Sequence, residues 1–491
     1  MCRDPRRRAA IDGRCDPAVV SATHIPTDLL GAAGLSRADA DAWAASVPPR
    51  EGSFDAQAGA TSEFLVRGQA LRERLRASPS VSQAERAGAA AIADVCNDAR
   101  ERFLREHAAE LYERLTAART QSVRLDQLVS EAARRVPGLT PSPAELDAER
   151  ARALRDKQGV ELAQGLLISS VLAVPRAGRH LVDAMLRPTP EALDRLAEFR
   201  ATGVAELGPV RVTRRGRAGV LELSNPRHLN AEDGVTLGPT EVAVDLILLD
   251  PAIDVGVIRG AVVDQTRYAG QRVFGSGINL TLLYQGQIDF LFYLIRDLGY
   301  VNKLYRGISE SEPDPGGLAP DATGMERTTE KLWIAVVEKF AIGGACQLLH
   351  VMDHVIAGRG SRLYLPARKE GIIPGASNLR LPRSVGDRAA RQAILSGREW
   401  TAGEPDAALL CDEVVAPDEI DAALQARIEA LTSSGLVNAA ANRRVMRIGQ
   451  EPVDLFREYM AAYAREQAYC HLSPALVRNL EEHWNAHRRT V

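Results

Sequence analysis

The 491-residue chain carries almost balanced charge, with 61 lysine and arginine residues against 64 aspartate and glutamate residues. A net charge of −3 provides no basic field that would recruit nucleic acid. The chain is long enough for more than one domain and a large apolar core. Its six cysteines lie apart without CxxC pairs, which predicts reduced thiols rather than a disulfide framework or a structural zinc site.

No segment of the sequence is predicted to enter a membrane. The basic N-terminal residues run into a polar stretch, which is not typical of a secretory signal. The most apolar run, residues 165–174, is too short to span a bilayer. We therefore expect a soluble, cytoplasmic protein.

Four regions follow one another along the sequence. Residues 1–54 show little periodicity, and we expect partial disorder there apart from a short helix near residues 27–35. Residues 55–205 hold long Ala-, Arg-, Glu- and Leu-rich segments broken at prolines, which predict an all-α domain for oligomerisation or for covering the second half. Residues 206–430 alternate strands with helices, which predicts an α/β core, and residues 431–491 are predicted to add helices that complete it.

The predicted elements of the α/β region follow from runs of alternating or continuous apolar residues. They are a hairpin of strands 210–213 and 220–223, a helix over 239–250, a strand over 255–263, a helical stretch over 281–305, an acidic Pro- and Gly-rich mobile loop over 309–323, a buried strand over 332–337 and a last strand over 413–415. Further helices are predicted over 387–395, 420–431 and 453–471.

Two glycine-bearing loops each join a predicted strand to a predicted helix. Gly343 and Gly344 follow the strand 332–337, and the apolar residues after them recur at helical spacing as far as Ile356. A helix start presents unpaired N–H groups, and glycine lets a ligand approach them closely. A second loop, residues 272–280, follows the strand 255–263. Either both loops are simple tight turns, or each offers one N–H group to the same oxygen, as in an oxyanion hole.

Short motifs lie along the α/β region, namely Asn225-Pro226, Leu229-Asn230-Ala231, 274–277, 342–345, 353–357, Pro366, 371–375, 381–386 and 395–397. In this order and spacing they resemble the crotonase (enoyl-CoA hydratase/isomerase) superfamily. The resemblance covers residues 209–430 and implies a core of ββα repeats wound as a spiral, preceded here by the all-α domain.

The resemblance also implies where an acyl-CoA substrate binds. It assigns the two oxyanion-hole amides to the backbone N–H groups of Ile278 and Gly344. It places three side chains around an aromatic ring and its hydroxyl groups, namely Glu232, Arg296 and Gln347. The other residues that it implies for substrate binding are Arg227, Ser276, Gly277, Asn279 and Gly343.

Departures from the family pattern bear on the reaction. Hydratases of this family carry one glutamate just after the Gly-Gly turn and another just after the proline of a later loop, where this chain has Gln347 and Ala367. Neither residue serves as a general acid or base, so simple hydration of an enoyl-CoA is disfavoured. Glu370 lies three residues further on and is expected to point elsewhere. Arg306 is a neighbouring alternative to Arg296 at the substrate.

The helical N-terminal half and the residues after Gly344 resemble one branch of the superfamily, the cofactor-independent dioxygenases of glycopeptide antibiotic biosynthesis. The resemblance implies conversion of (3,5-dihydroxyphenyl)acetyl-CoA and O2 to 3,5-dihydroxyphenylglyoxylate and CoA, which supplies dihydroxyphenylglycine. It implies no cofactor, no metal, and no nucleic-acid or membrane partner. It also implies trimers stacked as a hexamer, with the helical half joining the trimers and residues 431–491 adding trimer contacts.

In the implied reaction, the main task of the site is to stabilise the negative charge of an enolate. A hydrogen on a carbon between a thioester and an aryl ring is already acidic, and two N–H donors stabilise the enolate by several kcal/mol more. We therefore expect no specially tuned base. The enolate would reduce O2 in an apolar pocket, giving a peroxide at Cα that attacks the thioester carbonyl and expels CoA.

Two alternative functions stay open at this point. One is thioester hydrolysis or decarboxylation through the same enolate, and the other is a non-catalytic scaffold, against which the balanced charge and both glycine loops argue. His350 and His354 lie one helical turn apart beside Asp353, a spacing found in iron sites, although the resemblance makes this aspartate structural. Cys346 is expected to pack rather than to act as a nucleophile, because no paired base is apparent.

Overall fold

The computed structural model describes residues 25–76, 81–309, 328–433 and 436–489. Residues 1–24, which belong to the segment predicted to be partly disordered, lie outside these ranges. So does the loop predicted over 309–323, apart from residue 309. The helices are α1 (Thr27–Ala32), α2 (Arg37–Ala44), α3 (Phe54–Arg76), α4 (Gln83–Leu115), α5 (Leu125–Arg135), α6 (Pro143–Arg150), α7 (Leu162–Ala173), α8 (Pro175–Leu186), α9 (Pro190–Thr202), α10 (Gly234–Leu249), α11 (Leu280–Tyr284), α12 (Leu291–Leu298), α13 (Tyr300–Arg306), α14 (Gly344–Leu349), α15 (Ala367–Glu370), α16 (Ser377–Arg391), α17 (Ile420–Thr432), α18 (Leu436–Gln450), α19 (Val453–His471) and α20 (Pro474–Trp484). The strands are β1 (Val204–Glu206), β2 (Val210–Arg215), β3 (Ala218–Leu223), β4 (Val255–Gly260), β5 (Leu332–Val337), β6 (Phe340–Ile342), β7 (His354–Gly358), β8 (Arg362–Tyr364), β9 (Glu399–Thr401) and β10 (Glu413–Val415).

The chain forms two compact units, and their boundaries differ from the predicted domains. The helical region predicted as one domain, residues 55–205, contributes to both units, and its predicted end at residue 205 lies inside the second unit. Of the described residues, the first unit holds 25–76, 81–103 and 136–138, and the second holds 104–135, 139–309, 328–433 and 436–489.

The first unit is helical and is organised around Trp43. The indole ring of Trp43 is 1% exposed, stacks on Phe64 with ring centroids 5.0 Å apart, and donates its N–H to the Phe64 carbonyl at 3.0 Å. A buried aromatic pair of this kind stabilises the segment that carries it. Partial disorder was predicted for residues 1–54 apart from a short helix, but Trp43 holds α2 in a packed core.

A mixed seven-stranded sheet forms the centre of the second unit, with the strand order β1-β2-β3-β4-β5-β7-β10. The first three strands pair antiparallel, whereas β3, β4, β5, β7 and β10 pair in parallel. A second sheet of three strands has the order β6-β8-β9. This arrangement confirms the predicted α/β class.

Apolar side chains cover both faces of the central sheet, as in parallel sheets generally. Alternate residues of β5 point to opposite faces. Trp333 and Ala335 pack with α10 in one core cluster, whereas Ile334 and Val336 pack with α17 in another. Every residue of β5 is buried, in agreement with the prediction from its continuous apolar run.

Several predicted elements are confirmed. The hairpin of β2 and β3 is present, with Val210 opposite Leu223, and both β10 and α19 have their predicted bounds. The predicted helix at 239–250 begins earlier, at Gly234, because the Asp233 side chain caps the N–H groups of α10. None of the helices in the described ranges combines the length and the apolar character needed to cross a bilayer.

Two predicted helices are shorter than the apolar pattern suggested. The stretch 281–305 divides into α11, α12 and α13, with left-handed Gly286 and the irregular Gly299 between them. The helix after Gly344 ends at Leu349, and the apolar residues near Ile356 belong to β7 instead. Pairing of β7 between β5 and β10 therefore outweighs the helical periodicity of those residues.

Candidate active site

The two glycine-bearing loops lie against each other in the second unit. A bridge joins Gly275 to Ala341, and the N–H of Ile342 donates to the Gly275 carbonyl at 3.1 Å. Gly277 has a φ of +82°, and a Cβ there would lie 2.8 Å from the Ile342 carbonyl oxygen and 2.9 Å from the amide nitrogen of Gly344. Only glycine fits a contact this close between two backbones.

Two unpaired backbone N–H groups belong to residues that line the cavity beside these loops. Ile278 and Gly344 both line the cavity, and neither N–H group donates to another described residue. Gly344 is the first residue of α14, so its N–H has no acceptor within that helix. Two free donors at one cavity are what an oxyanion hole requires. Their assignment as that hole stays a prediction.

Glu232 lies beside the Ile278 peptide because the backbones of the two segments pair. The Glu232 N–H donates to the Gly277 carbonyl at 2.7 Å, and the Glu232 carbonyl accepts from the Asn279 N–H at 2.8 Å. Its half-buried carboxylate lines the cavity and accepts the Tyr300 hydroxyl at 2.8 Å. The backbone pairing thus fixes a carboxylate beside the loop that carries the Ile278 amide.

The side chain of Arg296 is 4% exposed and joins several groups around the cavity. Its guanidinium donates to the Glu232 carboxylate at 2.5 and 3.1 Å, to the Gln347 side-chain oxygen at 3.0 Å, to the Gly344 carbonyl at 2.8 Å and to Asp297 at 3.1 Å. Burial alone would lower the pKa of Arg296, but the negative charges of Glu232 and Asp297 hold that pKa above its ordinary value. This side chain is therefore a permanent cation at the cavity.

The structure shows which of Arg296 and Arg306, the two sequence candidates for the arginine at the substrate, lies at the cavity. Arg306 does not line the cavity. It is fully buried elsewhere, where it donates to the Glu451 carboxylate at 3.2 Å and to the Asn302 side chain at 3.1 Å. Of these two arginines, the one that faces the candidate site is Arg296.

A tight turn at Gly375 closes the cavity next to Gln347. Gly375 has a φ of +48°, and a Cβ at this position would lie 2.6 Å from the Gln347 side-chain oxygen and 2.5 Å from Asp297. Glycine is therefore required here for conformation and for space. The turn fixes the face of the cavity on which Gln347 presents its amide.

The structure contradicts the prediction that Glu370 points elsewhere. After Pro366 the chain makes a single helical turn, α15, in which Ala367 and Glu370 are buried and the two residues between them are exposed. Residues three apart share one face of a helix, so Ala367 and Glu370 are buried together. Glu370 lines the cavity together with Gln347. Burial raises the pKa of this carboxyl to about 7. A helix of four residues is too short to show a periodic pattern in the sequence, so the position of Glu370 at the cavity was not predicted.

The remaining residues predicted to bind substrate have mainly backbone contacts. The Ser276 hydroxyl donates to a backbone carbonyl at 3.0 Å, and the Asn279 side chain accepts an N–H of α11 at 3.2 Å. Gly343 forms the turn before α14 with a φ of +56°. Arg227 is exposed and lies outside the cavity lining. Their roles toward a substrate stay predictions.

The cavity between these residues has a volume of about 30 Å³. One water molecule needs about 10–15 Å³ of such space, so the cavity has room for about two. An aryl group needs more space, so binding an aryl-acetyl group requires the lining side chains to move. The residues of the lining are Glu232, Ile278, Phe292, Tyr293, Arg296, Asp297, Gly344, Gln347, Glu370, Ile372, Ile373, Gly375 and Tyr463.

The histidines and the cysteine near the Gly-Gly turn are arranged differently from a metal or nucleophile site. Burial lowers the pKa of His350 to about 3, while His354 lies 3.9 Å from Asp412 and 3.5 Å from Glu413. In the described ranges, no group of three or more His, Cys, Asp or Glu residues is placed to hold a metal ion. Burial raises the pKa of the Cys346 thiol to about 12, which leaves it protonated and a poor nucleophile.

Comparison with known proteins gives a consistent result. Residues 325–462 match the family model for enoyl-CoA hydratase/isomerase. The chain is 46% identical over 404 residues to a (3,5-dihydroxyphenyl)acetyl-CoA 1,2-dioxygenase of Amycolatopsis orientalis, an alignment that covers 82% of this chain and 90% of that relative. It is 29% identical over 212 residues to a probable enoyl-CoA hydratase of Rhizobium meliloti strain 1021, covering 43% of this chain and 69% of that protein.

Among solved structures, an enoyl-CoA hydratase from Mycobacterium avium subsp. paratuberculosis K-10 aligns with a TM-score of 0.45 and 20% identity, over 56% of this chain and 98% of that one. The sequence identity to the Amycolatopsis relative, and the share of both chains that the alignment covers, are high enough to assign this chain to a family. This chain belongs to the enoyl-CoA hydratase/isomerase (crotonase) superfamily.

Proposed function

We propose that this protein is a (3,5-dihydroxyphenyl)acetyl-CoA 1,2-dioxygenase, an oxidoreductase that adds both atoms of O2 to one substrate. The observation that carries the proposal is the 46% identity to an enzyme of that name over 82% of this chain. The geometry supports it, because Ile278 and Gly344 present two unpaired amides at a cavity lined by the charged residues Glu232 and Arg296.

The first task of the site is to stabilise an enolate. When the thioester carbonyl oxygen accepts hydrogen bonds from the Ile278 and Gly344 N–H groups, negative charge on that oxygen is held by preorganised donors. One such donor is worth about 3–4 kcal/mol in the transition state of related chemistry. Arg296 donates to the carbonyl of Gly344, the residue whose N–H faces the cavity, and this contact helps to hold that donor in place.

The second task is to bind the dihydroxyphenyl ring. Arg296 holds the Glu232 carboxylate and the Gln347 amide at one wall of the cavity. A carboxylate accepts phenolic O–H groups, while an amide both donates and accepts. Once the lining side chains have moved to admit the ring, its hydroxyls meet hydrogen-bonding groups that Arg296 holds together, which fixes Cα next to the oxyanion hole.

The oxygenation consumes one O2 and two hydrogens of Cα. The enolate carbon gives an electron pair to O2 and becomes a Cα-peroxide anion. The terminal peroxide oxygen attacks the thioester carbonyl carbon and expels CoA thiolate. Cleavage of the O–O bond with loss of the second Cα hydrogen as a proton then leaves the arylglyoxylate, which carries both oxygen atoms of O2.

The same proposal covers cofactor use, assembly and location. We propose that the reaction uses neither a metal nor an organic cofactor, since an electron-rich enolate supplies the electrons that O2 requires. Hydration is disfavoured because Gln347 and Ala367 occupy the two positions where family hydratases carry glutamates. Acyl-CoA is the substrate class expected for the superfamily. The trimeric or hexameric assembly, the cytoplasmic location and the supply of dihydroxyphenylglycine stay predictions.

Oxygen uptake tests the proposal. Purified protein treated with a chelator is given (3,5-dihydroxyphenyl)acetyl-CoA, and O2, free CoA and arylglyoxylate are followed together. We expect one O2 consumed for each CoA and each arylglyoxylate formed, unchanged by removal of metal. Release of CoA without uptake of O2 would make the protein a thioesterase and would contradict the proposal.

A further inference from the structure

Three carboxyl groups line the cavity, and two of them are paired. Glu232 accepts hydrogen bonds from Arg296 and Tyr300, and Asp297 accepts one from Arg296. Glu370 is 8% exposed, yet within the described ranges its carboxylate makes no hydrogen bond and no ion pair. A buried carboxylate without a partner is costly, since nothing replaces the water it has lost.

The surroundings of Glu370 leave its carboxyl near the midpoint of titration at neutral pH. Burial is the cause that raises its pKa to about 7, and no neighbouring cation offsets it. A carboxyl with such a pKa accepts a proton at neutral pH and also returns it readily. The other titratable groups of the lining are Glu232, Tyr293, Arg296, Asp297 and Tyr463.

Glu370 also lies in the right place for proton transfer at Cα. One of its carboxylate oxygens is 3.7 Å from the position that a Cβ of Gly343 would occupy. Gly343 directly precedes Gly344, whose N–H is one of the two oxyanion donors. Cα of the substrate is only two bonds from the oxygen that those donors hold. A base beside the Gly-Gly turn is therefore next to the hydrogen that must be removed.

We propose that Glu370 is the general base that removes a proton from Cα of the acyl-CoA substrate. The C–H bond breaks, its electron pair forms the carbon–carbon π bond of the enolate, and the proton passes to the Glu370 carboxylate. The negative charge moves to the thioester oxygen at the Ile278 and Gly344 amides. After O2 has reacted, the protonated Glu370 returns its proton to the departing CoA thiolate, and the carboxylate restored in this way takes the second Cα hydrogen as a proton when the O–O bond breaks. This assignment replaces the expectation that no tuned base is needed, and it rests on the function proposed above.

Exchange of the Cα hydrogens in the absence of O2 isolates this step. Protein and (3,5-dihydroxyphenyl)acetyl-CoA are mixed anaerobically in D2O, and deuterium entry at Cα is followed by mass spectrometry. We expect wild-type protein to exchange the Cα hydrogens and Glu370→Gln to exchange them at least about 100-fold more slowly. Substrate binding to Glu370→Gln, measured under the same anaerobic conditions, should stay within a few-fold of wild type. Glu482→Gln makes the same chemical change at an exposed position and should exchange normally.

Two further variants separate a catalytic role from a structural one. Glu370→Asp keeps a carboxylate and should retain part of the exchange. Glu370→Ala should regain exchange when formate is added, because formate supplies the missing base, which a purely structural loss would not permit. If Glu370→Gln fails to bind substrate, the Asp and Ala variants decide the question.

The outcomes distinguish this assignment from the proposed function. Exchange by Glu370→Gln at the wild-type rate would overturn the role of Glu370 even if wild-type protein consumes O2. Exchange that depends on Glu370 in a protein that never consumes O2 would support the base and reject the dioxygenase. Loss of the acid limb of kcat/KM near pH 7 in Glu370→Gln is a further expected result.

Discussion

Two buried arginine–carboxylate clusters lie in neighbouring parts of the second unit, and they differ in what they leave unpaired. The pocket cluster is formed by Glu232, Arg296, Asp297, Tyr300 and Gln347. All of these except Tyr300 line a cavity that is also lined by Glu370, whose carboxylate is unpaired. The Glu451 cluster, formed by Glu451, Arg306, Arg380 and Arg383, surrounds one carboxylate with three guanidinium groups and has no place in the cavity lining.

Burial of an arginine–carboxylate cluster and pairing of its charges therefore do not by themselves identify a functional site. Both clusters are buried ion networks, and a buried network by itself is weak evidence for either stability or function. Burial alone would raise the pKa of Glu451, but the charges of the Glu451 cluster hold it at about 2. In the pocket, burial raises the pKa of Glu370 to about 7. Glu370, the carboxyl group without a partner, is therefore the one available for proton transfer, and the carboxyl groups paired with arginines are not.

The largest expected effect is on stability, in the Glu451 cluster. Glu451→Gln should lower the free energy of unfolding by about 3–5 kcal/mol, because the buried guanidinium groups of Arg306 and Arg380, and the more exposed one of Arg383, lose their counter-charge. The folded pKa of Glu451 lies below its ordinary value of 4.5, so this stabilisation is present above about pH 4.5 and is lost as the pH falls toward about 2.

Denaturant unfolding at several pH values checks this prediction. The difference between wild-type protein and Glu451→Gln should shrink as the pH falls from about 5 to about 3. Glu482→Gln, at an exposed position, serves as the matched control and should change stability little. A pH-independent difference would show that Glu451 acts through packing and not through its charge.

The next effect is on catalysis, at the contact between the two glycine loops. Gly277→Ala should lower kcat by about 100- to 1,000-fold, because its Cβ would lie 2.9 Å from the amide nitrogen of Gly344 and push an oxyanion donor out of place. Gly270→Ala is the matched control, because Gly270 also has a positive φ, of +76°, but open space around its Cβ position. Steady-state O2 uptake by both variants checks the prediction, and equal losses would contradict it.

Glu370 should make the folded protein less stable as the pH rises. Its folded pKa of about 7 lies above the ordinary 4.5, so the folded state holds this proton more tightly than the unfolded state, and stability falls as the pH rises from about 4.5 through about 7. Relative to wild type, Glu370→Gln should therefore gain at most about 3 kcal/mol between pH 5 and pH 8. Thermal unfolding of both proteins across that range measures the gain, and a constant difference would argue against the raised pKa.

The smallest expected effect concerns the hydroxyl that supports Glu232. Tyr300→Phe removes one of the hydrogen bonds to this carboxylate while Arg296 keeps both of its own contacts. We expect kcat/KM to fall by about 3- to 10-fold, equivalent to about 1 kcal/mol. Tyr305→Phe, next to the Glu451 cluster, is the control and should leave kcat/KM unchanged. A larger loss in Tyr305→Phe would reverse the roles given to the two clusters.

The sequence predicts the fold of the second unit well because its signals are local. A six-residue apolar run is enough to locate β5, and two glycines are enough to locate the turn before α14. The same turn indicates the unpaired amide of Gly344, because the first N–H groups of any helix lack an acceptor within it. Backbone groups at such turns follow from chain geometry, which short motifs specify.

The side-chain part of the site was less predictable because it depends on distant contacts and short elements. Arg296 and Arg306 lie on consecutive helices, and only tertiary packing shows that one meets Glu232 and the other meets Glu451. Glu370 was missed because α15 is a single turn, too short to produce a periodic pattern. The degree of order of residues 25–54 was underestimated, because the core around Trp43 forms only when distant helices pack.

The central claim is that O2 reacts at Cα of the acyl-CoA substrate and ends in the product. Isotope-labelled O2 tests it most directly, in a single turnover with (3,5-dihydroxyphenyl)acetyl-CoA, rapid quenching, and mass spectrometry of the arylglyoxylate. We expect both labelled oxygen atoms in the product, one as the keto oxygen and one in the carboxylate. A product labelled only from water, or release of unoxidised (3,5-dihydroxyphenyl)acetate, would contradict it.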